Sequence, residues 1–408
     1  MSKVITDKKQ IDWVLTRGVE NVYPDKKTLA ELLASGKQIT LYCGYDPTAN
    51  SLHIGHGITI RKLAQFQALG HKVIFLFGDF TAQIGDPDKL SVRQPLTHAQ
   101  VMENLKNWKE QIKNLIDMDK VEFKFNSKWL AGLNFQDLIG MAKHFTVQQM
   151  IDREMFQERM RQERPIYLHE FFYPLMQAYD SVAMDVDLEV GGNDQTFNML
   201  AGRTLIKAMK NKEKCVLTTK LLADPTGKKM GKSEGNMITL ADTAEDMYGK
   251  VMSWPDEMIL PALEILTDLS DEAMLEIKDQ MALKETNPRD IKMKLAYEIV
   301  KIYQGEKEAG KAEESFKRVF QDKQKPAEIA EVMISASKLK DGQIGVLDLF
   351  VAAGLAKSNG EVRRLIKEGG AMINDEKITS ENLQVEITKA GLMLQRGRRQ
   401  FAKAVLGK

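Results

Sequence analysis

The fold is decided by residues 41–56, LYCGYDPTANSLHIGH. An apolar run is followed by a polar turn and then by the start of a helix that carries His53 and His56. Because the first N–H groups of a helix have no partner within it and carry partial positive charge, such a turn favours phosphate. Two imidazoles can add further N–H donors to phosphate oxygens. The stretch therefore predicts a nucleotide site, although two histidines at a helix start are, taken alone, more often capping or packing residues.

The segments around this stretch predict a parallel sheet. Residues 39–43 are apolar on both faces, as is typical of a strand covered on both sides. The helix from His53 is predicted to end at Gly70, and Val73 to Phe77 reads as a second buried strand. A strand, helix and strand in this order form a right-handed crossover and bind ligands beyond the carboxyl ends of the strands. The expected fold class is α/β, with a Rossmann-like parallel sheet.

The second strand runs into residues 78–88, GDFTAQIGDPD, where Gly and Pro break it. This places Thr81 and Asp86 at the same edge of the sheet as the histidine turn. The neighbouring segments are predicted as a helical lead-in (3–33), an amphipathic helix (98–117), a strand (121–125) and a methionine-rich helical insertion (135–164).

A predicted helix over residues 168–186 carries Tyr173, Gln177 and Asp180 on one face. The rest of that helix is largely apolar, and an unpaired buried polar group costs about 1–3 kcal/mol. The polar stripe must therefore find a ligand or partners. Taken alone, it is equally compatible with a satisfied network in the core.

Two loops follow that have the composition of ligand-binding loops. Residues 191–195, GGNDQ, follow a predicted strand. The two glycines let a ligand approach the backbone closely, and the carboxylate of Asp194 can accept hydrogen bonds from sugar hydroxyls. After a strand-like run at 215–222, residues 224–236 form a glycine-flanked loop with three lysines, suited to closing over a polyphosphate. A lysine-rich loop alone is usually a solvated surface.

The remainder of the chain is predicted to be helical to residue 321, with Asn287 as the N-cap and Gly305 as the end of one helix, and then to enter a polar linker. Residues 345–408 read as a separate unit with two short helices, 347–350 and 361–367, and a strand near 392–397. This unit has eleven Lys and Arg against seven Asp and Glu, which predicts contact with nucleic acid.

Composition limits the function classes. The 408 residues predict two to four domains, and 43% hydrophobic with 28% charged residues is typical of a globular protein. A net charge of +1 excludes a uniformly basic nucleic-acid coat. The apolar runs are too short to span a membrane, the start of the sequence lacks the apolar core of a signal peptide, and Cys43 and Cys215 stand far apart. We therefore expect a cytoplasmic protein without disulfides.

The combination of motifs resembles a known family. Residues 53–56, HIGH, together with 229–233, KMGKS, resemble the paired signatures of the class I aminoacyl-tRNA synthetases. Within that class, residues 42–48, the Tyr173, Gln177 and Asp180 helix and the GGNDQ loop resemble the bacterial-type tyrosyl-tRNA synthetases. The tail is similar to the RNA-binding domain first described in ribosomal protein S-four. Gly231 stands where the family signature usually has serine, and the segment after Asp86 departs from the family pattern.

The resemblance implies a reaction and a set of roles. L-tyrosine and ATP would give tyrosyl-adenylate and pyrophosphate, and tyrosine would then pass to the 3′ end of tRNA(Tyr). Mg²⁺ would arrive with ATP, and no metal bound by the protein itself is implied. The enzyme would be a cytoplasmic homodimer.

The implied residues fall into three groups. The amino-acid site comprises the phenol-binding residues Tyr42 and Asp180, the ammonium-binding residues Asp86, Tyr173 and Gln177, and Gln195 near the carboxylate. The ATP site comprises Gly44, Asp46, Gly192, Asp194, Met230 and Ser233, together with the catalytic residues Thr48, His53, His56, Lys229 and Lys232. The RNA-binding residues are Arg363, Arg364, Lys367, Arg396, Arg398 and Arg399.

The resemblance implies four segments. They are a catalytic domain over 1–240 with a connective insertion at about 121–165, a helical tRNA anticodon-side domain over 241–325, a linker over 326–344 and an RNA-binding domain over 345–408.

Two other classes of protein share some of these features. A small-molecule nucleotidyltransferase shares the histidine turn but has no use for the helical region and the basic tail. A noncatalytic RNA-binding relative would keep the tail without needing the histidines and lysines. The tryptophan enzyme of the same class normally lacks this tail and the pair Tyr42 and Asp180.

Overall fold

The computed structural model describes residues 3–86, 96–223, 237–283, 287–320, 329, 331–335, 338–339, 342–387, 391–397 and 400–407, with backbone only for 319 and 320. The chain forms two compact units, Met1–Ala309 and Gly310–Lys408. None of the helices in the described ranges has both the length and the apolarity that a membrane span requires.

The first unit is built on a six-stranded sheet with the order β1-β6-β5-β2-β3-β4. All neighbouring strands are parallel except β1, which pairs antiparallel with β6. The predicted parallel sheet is thus confirmed. The strands are β1 (Val19–Tyr23), β2 (Thr40–Tyr45), β3 (Lys72–Phe77), β4 (Val121–Phe125), β5 (Leu188–Gly192) and β6 (Cys215–Thr219).

The order in which strands are added to the sheet reverses at β2. From β2 the chain crosses to β3 and then β4 on one side, whereas β5 and β6 lie on the other side. The crossover from β2 to β3 is helix α3 (Ile54–Ala68), whose first residues follow the histidine turn. Gly70, at φ 88°, follows the end of α3, as predicted. In open α/β sheets, ligands bind where the strand order reverses in this way.

The amino-terminal segment differs from the prediction. It is not wholly helical, because β1 (Val19–Tyr23) lies between α1 (Lys8–Thr16) and α2 (Lys26–Ala34). β1 is an edge strand whose side chains are either exposed or partly buried. Its pairing partner β6 lies far along the sequence, so its own residues carry little of the signal that a buried strand gives.

Two other segments are less regular than predicted. The predicted helix over 98–117 is broken at residues 106–107, and the predicted helix over 135–164 consists of three short helices. β4, which begins at Val121, pairs with β3 and so belongs to the sheet, although it lies within the 121–165 range of the expected insertion. The helices of this part are α4 (Thr81–Ile84), α5 (His98–Leu105), α6 (Trp108–Ile112), α7 (Ser127–Leu130), α8 (Phe135–Ala142), α9 (Val147–Ile151) and α10 (Glu154–Arg161).

Helices α11 (Phe172–Met184) and α12 (Thr196–Lys210) pack closely against each other beside β5. Between residues 240 and 320, the described secondary structure is helical, as predicted. Asn287 caps helix α16, its side chain accepting from the N–H of Arg289 at 3.0 Å, and the helix ends before Gly305. The helices are α13 (Ala244–Met252), α14 (Ile259–Leu266), α15 (Asp271–Ala282), α16 (Pro288–Gln304) and α17 (Glu306–Phe320), the last of which runs across the boundary between the two units.

The second unit has a hydrophobic core of its own, which includes Val346, Leu349, Phe350, Val362 and Leu394. It contains a five-stranded sheet, β10-β9-β12-β13-β7, and a separate pair, β11-β8. The two predicted helices and the strand near residue 392 are present. Its elements are β7 (Glu331–Ile334), β8 (Gln343–Gly345), α18 (Val346–Ala352), α19 (Asn359–Lys367), β9 (Ala371–Ile373), β10 (Glu376–Lys377), β11 (Gln384–Glu386), β12 (Leu392–Arg396) and β13 (Gln400–Leu406).

Candidate active site

A cavity of about 450 Å³ lies at the carboxyl ends of the central strands. This is the size of an ordinary small-molecule site. It brings together most of the residues that the family resemblance implies for the amino-acid and ATP sites. Those that line it are Gly44, Asp46, Thr48, His53, His56, Asp86, Tyr173, Gln177, Asp180, Gly192, Asp194 and Gln195.

The remaining predicted residues of this site are Tyr42 and four residues of the lysine segment (224–236). Tyr42 is 0% exposed and does not line the cavity. Its hydroxyl lies 2.9 Å from Ser181 Oγ. Four predicted residues, Lys229, Met230, Lys232 and Ser233, lie outside the described residues, as do Lys89, Arg93 and Gly231.

The two histidines interact directly at the start of α3. The N–H of His53 donates to His56 Nδ1 at 3.1 Å, and the two rings stack with their centroids 3.7 Å apart. Because Nδ1 of His56 is an acceptor, a neutral His56 carries its proton on Nε2. The local backbone thus sets the tautomer in which His56 is an N–H donor.

After residues 224–236, which we call the lysine segment, the chain returns to the turn that carries His53 and His56. The N–H of Ile54 donates to the carbonyl of Ile238 at 2.9 Å, and the N–H of Leu240 donates to the carbonyl of Leu52 at 2.8 Å. Leu222 and Met237, one on each side of residues 224–236, both line the cavity. Described residues close to both ends of the lysine segment therefore line this site.

Helix α11 presents Tyr173, Gln177 and Asp180 to the cavity, as their spacing predicted. Tyr173 donates its hydroxyl hydrogen to Asp46 Oδ2 at 2.8 Å. The other oxygen of Asp46 accepts from Thr81 Oγ1 at 2.7 Å. The turn after β2, the start of helix α4 and helix α11 are thus joined at one carboxylate.

Asp180 is held by two donors that the sequence did not indicate. Trp129 Nε1 donates to one carboxylate oxygen at 2.7 Å, and Asn126 Nδ2 donates to the other at 3.3 Å. Burial raises the pKa of Asp180 well above its usual range, and these two donors oppose that rise. Asn126 and Trp129 lie between β4 and α8, in a segment without a recognisable motif.

Asp86 is also held from two sides. Gln195 Nε2 donates to it at 2.8 Å, and Arg153 Nη2 donates to its other oxygen at 3.2 Å. Arg153 is 7% exposed and comes from the segment before α10. Sequence reasoning missed this arginine, because the insertion that carries it showed no site chemistry of its own.

A buried ion pair lies behind the cavity wall. Glu189 of β5 lines the cavity and accepts from Gln177 Nε2 at 3.1 Å. Its other carboxylate oxygen accepts from Lys214 Nζ. Neither Glu189 nor Lys214 was among the predicted residues, since an apolar strand containing one glutamate gives no signal of a site.

The cysteines take no part in a disulfide. Both Cys43 and Cys215 are buried and free, as expected. Cys43 lines the cavity, and burial raises the pKa of its thiol to about 12. Because the thiolate is the nucleophilic form, this cysteine is not poised for covalent chemistry.

The candidate RNA-binding residues lie in the second unit. Arg363, Arg364 and Lys367 are exposed on α19, although Arg363 also pairs with Glu381 at 3.3 Å. Arg396 instead donates to the carbonyl of Leu355 and to Glu361, both at 2.6 Å, so it has a structural role in this unit. Arg398 and Arg399 lie outside the described residues.

Two family descriptions match the chain. One, of the class I tRNA synthetases for tryptophan and tyrosine (W and Y), covers residues 34–321. The other, of the SYY-like C-terminal domain of tyrosine–tRNA ligase, covers residues 328–403.

Similar proteins include the tyrosine–tRNA ligases of Carboxydothermus hydrogenoformans, 41% identical over 98% of both chains, and of Thermotoga maritima, 40% identical over 97% of both chains. Among solved structures, a truncated mitochondrial tyrosyl-tRNA synthetase of Aspergillus nidulans matches with a TM-score of 0.64 and 22% identity, over 76% of this chain and 94% of that one. The tyrosyl-tRNA synthetase of Archaeoglobus fulgidus, complexed with L-tyrosine, matches with a TM-score of 0.61 and 23% identity, over 75% of this chain and 100% of that one. These two structural likenesses establish the fold.

Proposed function

The chain belongs to the class I tRNA synthetases and, within them, to the tyrosine–tRNA ligases, and from this premise we propose which residues carry out its two reaction steps. The enzyme joins L-tyrosine to ATP, giving tyrosyl-adenylate and pyrophosphate, and then transfers tyrosine to the 3′ end of tRNA(Tyr). The observation that carries the assignment is the single cavity in which the histidine turn, the α11 stripe and the GGNDQ loop meet.

Tyrosine binds along α11. Asp86, Tyr173 and Gln177 bind its ammonium group, Asp180 accepts a hydrogen bond from its phenol, and Gln195 lies beside its carboxylate. These side chains line one cavity, which supports the assignment. Phenylalanine has no hydroxyl group for Asp180, so the hydrogen bond that tyrosine makes there would be lost and binding would be weaker. Tyr42 is the second phenol residue of the family pattern, and in this chain its hydroxyl bonds Ser181.

ATP binds at the start of α3. Thr48, His53 and His56 bind the phosphates together with the helix N-terminus, and Lys229 and Lys232 supply further positive charge to them. Gly44, Asp46, Gly192 and Asp194 receive the ribose and the adenine side, with Met230 and Ser233 in the lysine segment. The return of the chain beside the histidine turn supports a role for that segment here.

The chemistry is one of positioning and charge stabilisation. The tyrosine carboxylate attacks the α-phosphorus of ATP, and pyrophosphate leaves. N–H donors aimed at the phosphates stabilise the charge that builds up in the transition state. Mg²⁺ enters as part of the ATP substrate, where it neutralises phosphate charge.

Residues 1–240 are the Rossmann-like catalytic domain, 241–325 the anticodon-side helical domain, 326–344 the linker and 345–408 an RNA-binding domain of the ribosomal-protein-S-four type. The separate hydrophobic core of the second unit and the exposed basic side chains of α19 support the last of these assignments. We place the enzyme in the cytoplasm, where its tRNA is charged.

A homodimer is also part of the proposal. Phe135 and Ile139 on α8 and Val147 on α9 are 77%, 56% and 67% exposed. Large apolar side chains exposed close together in sequence are typical of a covered interface. We expect a second copy to cover them.

The deciding experiment is exchange of labelled pyrophosphate into ATP, run with each of the twenty amino acids. Tyrosine alone is expected to support rapid exchange. Exchange with tryptophan at a comparable rate would assign the chain to the other amino acid of its family, and exchange with none would overturn the adenylation step. A His56→Ala variant serves as the control for contaminating enzyme, because its exchange rate should fall by about 10²-fold or more.

A further inference from the structure

Lys214 and Glu189 form an ion pair in the interior of the catalytic unit. Lys214 is 0% exposed and Glu189 is 2% exposed. Besides Glu189 Oε2, Lys214 Nζ donates to Ser181 Oγ at 2.8 Å and to the carbonyl of Met199 at 3.1 Å. All three hydrogens of the ammonium group therefore have partners.

The fold makes room for this lysine at Gly202 of α12. A methyl group at Gly202 would lie 2.6 Å from Lys214 Nζ and 2.9 Å from Ser181 Oγ. Both distances are shorter than ordinary van der Waals contact. The close packing of α11 and α12 thus depends on the absence of a side chain at the position where the lysine head lies.

Stability alone does not account for the pair. Replacing a buried ion pair by apolar residues of similar volume is often neutral or stabilising. Glu189, however, also lines the cavity and contacts Gln177, so the pair reaches the substrate site through one further hydrogen bond.

The hydrogen-bond polarity along this chain of contacts is fixed. A lysine ammonium only donates, and a carboxylate that faces it only accepts. Glu189 Oε1 must therefore receive a hydrogen from Gln177, which requires that the NH₂ end of the Gln177 amide face Glu189, at 3.1 Å. A flipped amide would place two acceptors against each other. The carbonyl oxygen of Gln177 is consequently the end that is left for the cavity, and a carbonyl oxygen is the group that an ammonium requires.

We propose that Lys214 and Glu189 are positioning residues for the amino-acid substrate, which hold the Gln177 amide with its carbonyl oxygen towards the substrate's amino group. The inference rests on the proposed role of Gln177 in binding that group. It extends the tyrosine site to two residues that act through Gln177.

The test compares two ligands that differ in the amino group alone. Equilibrium dissociation constants of L-tyrosine and of 3-(4-hydroxyphenyl)propanoate are measured with the full chain and with Gln177→Leu, Glu189→Gln and Gln177→Leu/Glu189→Gln. Each single variant is expected to bind L-tyrosine about tenfold more weakly and to bind the propanoate unchanged. The double variant should bind L-tyrosine no more weakly than Gln177→Leu, because Glu189 acts through Gln177.

A second variant covers the case in which Glu189→Gln leaves an unpaired lysine and does not fold. Lys214→Met/Glu189→Leu removes both charges together and should show the same selective loss. Glu170→Gln is the matched control, since Glu170 forms another deeply buried ion pair in this unit, with Arg159 Nη1 at 2.6 and 2.8 Å. It should alter stability without changing the ratio of the two dissociation constants.

The outcomes separate the two claims. If Gln177→Leu weakens both ligands equally or neither, the proposed role of Gln177 in the tyrosine site is wrong. If Gln177→Leu is selective but the Glu189 and Lys214 variants are not, only the positioning inference is wrong. An additive loss in Gln177→Leu/Glu189→Gln would also overturn it, because Glu189 would then bind the ammonium group directly.

Discussion

At the scale of single residues, Lys62 is a buried cation without a carboxylate partner in direct contact among the described residues. Its Nζ donates to the carbonyls of Val14 and Arg17, both at 2.8 Å. Burial, with Arg61 and Arg17 nearby, lowers the pKa of Lys62 to about 7. Lys62 is therefore expected to lose its proton in the folded protein well before it does in the unfolded chain.

This pKa predicts a particular dependence of stability on pH. Between about pH 7 and pH 10 the unfolded chain holds a proton at Lys62 that the folded protein has released, so the contribution of Lys62 to stability rises with pH, by at most about 1.4 kcal/mol per pH unit. Below pH 7 both states are protonated and the slope disappears. The measurement is the free energy of unfolding in denaturant of the wild type and of Lys62→Met at several pH values.

The difference between those two proteins isolates Lys62 from the other titrating groups. The wild type should gain stability relative to Lys62→Met as the pH rises from 7 to 9.5. Leu63→Ala, a neighbouring uncharged change in the same buried helix, should differ from the wild type by a constant amount. A constant difference for Lys62→Met as well would show that Lys62 keeps its charge in the folded protein.

Sequence reasoning found most of the polar residues that face the cavity, but it missed Glu189 and Asn126 there and the residues behind them. The spacing of Tyr173, Gln177 and Asp180 is local, so helical periodicity alone predicted their shared face. Trp129 and Lys214 contact that face from segments tens of residues away. Such contacts depend on how the segments pack, and no local pattern encodes them.

At the scale of elements, helices α3 and α16 meet at Gly57. Tyr303 of α16 is 4% exposed and lies against this glycine. A methyl group at Gly57 would be 2.1 Å from the Tyr303 hydroxyl oxygen and 2.9 Å from its ring. Because His56 precedes Gly57, any displacement of α3 at this contact also moves a proposed phosphate-binding side chain.

Gly57→Ala is therefore expected to lower stability by about 1–3 kcal/mol through overpacking and to slow tyrosine-dependent pyrophosphate exchange. Adding Tyr303→Leu should restore most of the exchange rate, because it removes the ring that the methyl group meets. The control is Gly310→Ala, a helical glycine with nothing within 4 Å of the added methyl group. That change should be neutral or slightly stabilising. Equal effects of the two alanine substitutions would refute the contact as their cause.

The elements themselves were predictable to different degrees. Helix α16 has an Asn287 cap, a proline at its start and a glycine at its end, and its bounds followed from these signals. The helix predicted over 98–117 kept its apolar spacing through Leu105 and Trp108 but breaks between them, since periodicity does not report a single irregular turn. β1 was missed because it is recognisable as a strand only from its pairing with β6, which is distant in the sequence.

At the scale of the whole molecule, the order of the strands in the sheet could not be predicted from the sequence. The βαβ unit predicted that β2 and β3 are neighbours, but the positions of β5 and β6 on the far side of β2 depend on packing between distant segments. The carboxyl ends of parallel strands nevertheless share one edge whatever their order. This is why the cavity residues could be predicted as a group without the topology.

The division into two compact units predicts that the two reaction steps can be separated. The core of the second unit is formed within residues 334–404, so a chain that ends at residue 327 keeps the first unit and α17 intact. Such a variant should retain tyrosine-dependent pyrophosphate exchange close to that of the full chain. Its charging of tRNA should be weaker, because the exposed cations of α19 are removed.

A milder change distinguishes lost phosphate contacts from a damaged fold. Arg364→Ala/Lys367→Ala in the full chain removes two exposed cations and should leave exchange unchanged, while the dependence of tRNA affinity on salt becomes shallower by about one unit of log–log slope per lost contact. Glu368→Ala, directly after the same helix, is the control and should not make that slope shallower. If the truncated chain lost exchange and charging in equal measure, the second unit would be needed for the adenylation site itself. If exchange were retained and the salt dependence of tRNA affinity were reduced, adenylation would be confined to the first unit and the second unit would serve to bind tRNA.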